Sequence, residues 1–236
     1  MSRNPFLVCQ RSTGMRITRA GGYASWVTFA QFLALLSIFV LVFPRFGLAA
    51  PDDFSDPVKG IAALQSAPGL FTAVNLLDAS FGVTALVVVL ALRELLGGAA
   101  PVRMRLAVLL TSASAALFLA GGIVPIVAFP GVVQAHDHSG YRAVNGVSTG
   151  LVLAATSAVG LAVALAGWSD VAARRLPTPI RALLLIGGVV EVCEFAAPSL
   201  LIVDPLLGLL WTAWLGVTLV RLKPDTTVTP QDRPLT

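Results

Sequence analysis

The run Ala182–Ala197 is apolar enough to enter a bilayer, yet it carries two glutamates, Glu191 and Glu194. No other stretch constrains the fold as much. At the centre of an inserted helix an acid costs about 2.5–3.5 kcal/mol, taking Glu as Asp, while each Leu, Ile, Val or Phe returns about 0.3–0.6. Eight such residues in the run return about 2.4–4.8 kcal/mol against about 5–7 for the two acids. Alone, the segment barely inserts. It needs neighbouring helices, and the rest of the chain must supply them.

The composition does supply them. Hydrophobic residues make up 56% of the 236 and charged residues 12%, and the mean hydropathy is +0.86. Soluble domains carry about twice that charged share. The expectation is an all-α, polytopic membrane protein: a bundle of six transmembrane helices at about 20 residues per span. The spans read as Tyr23–Phe43, Leu70–Leu92, Leu106–Phe129, Val144–Trp168, Arg181–Ala197 and Pro205–Leu222. A basic tail over 1–22 precedes them, and a Pro/Thr/Asp-rich tail over 223–236, expected to be disordered, follows. Gly47-Leu48-Ala49 resembles a signal-peptide cleavage site, but the apolar region before it exceeds the usual 7–15 residues and favours an uncleaved span. In the long loop after it, Asp56-Pro57 has the form of an N-cap followed by proline at the first helical position, which predicts a short helix over Pro57–Ser66.

The net charge of +4 and pI near 9.7 need no nucleic-acid partner, because the basic residues follow membrane topology. Thirteen of the sixteen fall at the N-terminus, around 93–105, around 174–181 and after 220, which is one side of a six-span chain; only Arg45, Lys59 and Arg142 fall on the other. The positive-inside rule then puts both termini in the cytoplasm. Cys9 and Cys193 are about half a bilayer apart on this layout and cannot pair.

Gly146, Gly150, Ala154, Ala158, Ala162 and Ala166 recur every four residues in the fourth span. Small residues at that spacing let helices approach closely, within the chain or in an oligomer. The polar residues inside spans are the candidate site. Asn75 and Asp78 share a face of the second span, Glu191 and Glu194 a face of the fifth, and Asn145 and Ser148 stand at the outer end of the fourth. On this topology the three acids overlap in depth, with no buried Lys or Arg. Like charges so placed in low dielectric cannot all ionise, and their titrations are coupled. Such groups are either a site for a cation, proton or small polar solute, or interhelical hydrogen-bond glue.

His136-Asp137-His138 is the one histidine cluster. In an extended loop both rings would fall on one side, as a metal pair requires, with Glu194 or Asp78 as further ligands; otherwise the loop is simply solvated and no cofactor is expected. A phosphate-binding Walker loop, a G-x-G-x-x-G turn and H-E-x-x-H are missing. That favours a non-catalytic protein over a metal-assisted membrane hydrolase. From Arg174-Arg175-Leu176-Pro177 onward, a Leu-Pro before a glycine-bearing span (Gly187, Gly188) and a closing span with Trp211, Trp214, Gly216 and Arg221 resembles the small bacterial six-span proteins grouped as domain of unknown function 4386. The resemblance covers the last third of the chain and the span count. It implies a bacterial inner-membrane protein of unassigned activity and transfers no functional residue.

Overall fold

The computed structural model describes residues 5–193 and 203–222, and every regular element among them is helical. Helix α1 (Pro5–Ser37) continues through a π turn (Ile38–Val42) and a 3-10 turn (Phe43–Phe46). After a second 3-10 turn (Pro51–Ser55) come α2 (Pro57–Ser66), α3 (Pro68–Leu96), α4 (Pro101–Ala135), α5 (His138–Ala173), α6 (Thr178–Cys193) and α7 (Val203–Arg221). Glu194 and the tail 223–236 lie outside the described residues.

Local chemistry places the boundaries. Proline stands at the first helical position of α2, α3 and α4, where its missing N–H costs nothing. Asp56 caps α2 as expected, its carboxylate accepting from Val58 N at 2.9 Å. Asp137 caps α5 by accepting from the backbone N–H groups of Ser139 and Gly140, both at 3.0 Å. The Gly140 N–H and the Ser139 hydroxyl hold the Asp137 carboxyl below its ordinary 3.8.

From Pro5 onward the basic N-terminal stretch is helical and forms the first part of α1. Gly21 and Gly22 do not end a tail but mark helix crossings. A Cβ on Gly21 would strike that of Ala91, and one on Gly22 would lie 2.7 Å from Val220 Cγ2 and 3.1 Å from Gly216 O. Glycine there lets α1 lie against α3 and α7.

The six long helices pack in chain order, and α7 returns to α1, so they close into a ring. Turns of two to four residues join α3 to α4, α4 to α5 and α5 to α6, which makes these neighbours antiparallel. Polar side chains stitch the closure. Ser25 Oγ donates to Thr212 O at 2.8 Å across α1 and α7, Gln31 Nε2 donates to Ser80 Oγ at 2.7 Å, and Thr84 Oγ1 donates to Gln31 Oε1 at 3.0 Å across α1 and α3.

One end of the ring carries Arg93, Arg103, Arg105, Arg174, Arg175, Arg181 and Arg221, and is packed with Leu92, Leu96, Met104, Ile180, Leu215 and Leu219. The other is covered by residues 43–66: Phe43, Leu48 and Ala63 pack on Val74, and Ile61 and Leu64 on Phe129 and Tyr141. Tyr141 Oη donates to Phe54 O at 2.9 Å, tying this cover to α5.

Four helices among the described residues are long and apolar enough to cross a membrane: Arg16–Phe46, Pro68–Leu96, Pro101–Ala135 and His138–Ala173. Large apolar side chains stand exposed on the outside of the ring, among them Leu33, Leu76, Leu109, Val127, Leu161, Val189 and Leu210. A belt of that kind is consistent with a membrane protein.

The four-residue series on α5 does not hold one face. At about 100° per residue a spacing of four drifts about 40° per step, or about 200° from Gly146 to Ala166. Gly146, Gly150 and Ala154 are exposed, with open space where the glycines' Cβ atoms would go, whereas Ala162 and Ala166 are buried. The close crossing runs instead through Gly160 and Gly167, with Gly188 opposite. A Cβ on Gly188 would strike Gly160 O and lie 2.6 Å from Ala164 N, and one on Gly167 would lie 3.1 Å from Leu185 N.

Candidate functional site

Midway along the ring is a cavity of about 100 Å³, lined by Phe32 and Leu35 of α1, Asp78 and Phe81 of α3, Phe118 of α4, Val152, Thr156 and Val159 of α5, and Glu191 of α6. Five helices meet there. Asp78 lies about 15 Å from the start of α3, at 1.5 Å per residue. Glu191 is 3% exposed and lies against Gly160, whose Cβ, were there one, would sit 2.6 Å from Glu191 Cβ and 3.1 Å from its Oε2. The glycine makes room for the acid. Asp78 makes no hydrogen bond or ion pair with another described residue, and Thr156 Oγ1 donates to its own helix, to Val152 O at 3.0 Å. Among the described residues the site is thus two carboxyls and a hydroxyl in an apolar wall, with no basic side chain lining it.

The structure therefore splits the residues that spacing grouped together. It brings Asp78 and Glu191 to one cavity and leaves Asn75, Asn145 and Ser148 outside it. Those three bond to backbone carbonyls: Asn75 Nδ2 to Phe71 O at 2.8 Å, Asn145 Nδ2 to Phe54 O at 3.2 Å and Ser148 Oγ to Gly121 O at 2.8 Å. Each is glue within a helix or between elements.

His136 and His138 belong to two different helix ends. His136 ends α4 in a left-handed conformation (φ 48°), and His138 opens α5; both are exposed. One helix ends and the next begins here, because Asp137 caps α5 at once, so the segment is not the extended loop that the metal pair would require. Among the described residues no group of three or more His, Cys, Asp or Glu is placed to hold a metal ion.

Two features escape sequence reasoning. Gly146-Val147-Ser148-Thr149-Gly150 has the letters of a G-x-S-x-G nucleophile elbow, but it lies inside α5 and not at a strand-to-helix turn. The second is Asp170, fully buried at the basic end. Its Oδ2 accepts from Arg181 Nε at 2.8 Å, and its Oδ1 from the backbone N–H groups of Arg175 at 2.7 Å and Leu176 at 3.0 Å. The sequence does hold a signal for it. An acid in the last turn of a helix opposes the helix dipole and needs a partner, and Arg181 begins the next span.

Fold and site together describe a helical bundle, apolar on the outside, with a small acidic cavity at its centre. Comparison with family models, with curated proteins and with solved structures finds no match.

Proposed function

We propose that the protein is a six-span membrane protein, both termini cytoplasmic, that binds a proton or a small cation at Asp78 and Glu191. The observation that carries this is the shared cavity: the carboxyls of Asp78 and Glu191 both line it, and among the described residues that line it none is basic; carboxyls inside a membrane bundle are candidate proton and cation sites. The cavity's size narrows the ligand. Sites for organic molecules occupy about 300–1,000 Å³, so about 100 Å³ suits a proton, a largely dehydrated cation or a few waters, not a larger solute. The bacterial inner membrane enters this proposal through the resemblance of the last third of the chain, which assigns no activity.

A second reading has its own support. Glu191 is wedged against Gly160 where α5 and α6 cross, so the acids serve packing and the protein is an accessory to membrane partners. Melting scans of the parent and of Asp78→Asn/Glu191→Gln, across monovalent and divalent cations and from pH 5 to 8, separate the two. A ligand at a hundredfold excess over Kd stabilises by about 2.7 kcal/mol. Site binding predicts an ion- or pH-dependent shift in the parent that the double variant lacks. Identical scans for both proteins overturn it and leave the packing reading.

A further inference from the structure

At the basic end a second cavity, about 400 Å³, opens between the α5–α6 turn and α7, lined by Arg175, Pro177, Trp214, Val217, Thr218, Arg221 and Leu222. The lining of α7 falls at 214, 217–218 and 221, one face of a helix. Its chemistry is graded along that face. Along α7, Trp214 and Val217 precede Arg221, whose backbone lies about 10 Å beyond that of Trp214 at 1.5 Å per residue, and Arg175 lines the cavity from the α5–α6 turn. Trp214 and Arg221 are both exposed. We infer that this groove binds an anionic phospholipid, its phosphate between Arg175 and Arg221 and its acyl chain along Val217 and Trp214.

The grading selects a lipid over a free anion. A free phosphate needs the two guanidiniums and has no use for an apolar floor running towards mid-bundle, whereas a lipid presents charge and hydrocarbon in that order and spacing. Arginine matches a phosphodiester with two parallel N–H donors, the Thr218 hydroxyl adds a polar group beside it, and tryptophan suits the headgroup boundary. Basic pockets between membrane helices are recurring headgroup sites. The inference rests on the membrane reading and not on the central cavity.

The test uses the full-length protein in nanodiscs, with phosphatidylglycerol titrated into phosphatidylcholine and bound lipid counted by native mass spectrometry. The parent is expected to retain phosphatidylglycerol preferentially, and its affinity to fall about fivefold for each charge removed in Arg175→Gln and Arg221→Gln. Arg105→Gln, an exposed arginine at the same end, is expected to keep the preference, and a melting temperature within a degree or two of the parent shows that each variant is folded (about ±0.5 kcal/mol for surface changes). An equal loss in Arg105→Gln, or no loss in the Arg175/Arg221 double variant, overturns the site in favour of a diffuse basic surface. Equal protection by inorganic phosphate overturns the lipid. A preference that appears only after Asp225→Asn/Asp232→Asn assigns the groove to the chain's own C-terminal tail, and also overturns it.

Discussion

Asp170 and Glu191 are both buried acids at the α5–α6 interface, and they differ in what meets them. Asp170 has three donors within 3.0 Å, two of them backbone N–H groups of the turn it closes. Glu191 lines the central cavity and packs against Gly160 of α5. The first arrangement is a structural lock, and removing one partner of a buried pair costs about 3–5 kcal/mol. Arg181 keeps 19% side-chain exposure, which puts the loss for Asp170→Asn near the lower end. Thermal unfolding in detergent measures it. The double variant Asp170→Asn/Arg181→Met is expected to lose less than the sum of the two single changes; additive losses would mean the pair does not act as a unit.

At the scale of elements, close approach is decided by where glycine meets backbone. Gly188→Ala puts a methyl into Gly160 O and Ala164 N of α5, and neither backbone can retreat. Such overpacking costs about 1–3 kcal/mol. Gly150→Ala meets open space on an exposed face, so it is expected to be neutral or to stabilise by about 0.4–1 kcal/mol through the unfolded chain. The same logic ranks two alanines: Ala155 is fully buried, with its carbonyl accepting from Ser114 Oγ at 2.7 Å, while Ala158 is half-buried. Ala155→Leu should lower the melting temperature more than Ala158→Leu. The reverse order would restore the four-residue series as the packing seam.

For the whole molecule the prediction is orientation. The structure gathers the arginines around the α3–α4 and α5–α6 turns and at the end of α7 at one end of the ring, and the positive-inside rule turns that asymmetry into a direction. In a background without Cys9 and Cys193, Asp52→Cys and His138→Cys, both exposed at the covered end, should react with an impermeant thiol reagent in intact cells; Arg105→Cys should not. The opposite labelling pattern would invert the topology.

Helicity, the apolar exterior, the α2 cap at Asp56-Pro57 and the separation of basic residues were legible from the residues alone, because each depends on local pattern: hydropathy over a turn, a capping side chain, charge at a span end. Asp78 and Glu191 were legible as misplaced charges for the same reason. Which of the polar residues meet was not. Asn75 and Asp78 are three residues apart, yet Asn75 bonds to its own helix and Asp78 turns to a cavity shared with α6, because the crossings of α3, α4, α5 and α6 fix which face looks inward. The α5 series fails for a simpler reason, since a drift of about 40° per step in any α-helix carries Gly146 and Ala166 to different faces. Span-scale chemistry is written in the chain; the pairing of side chains from different helices is set only when glycines such as Gly160 and Gly188 let backbones touch.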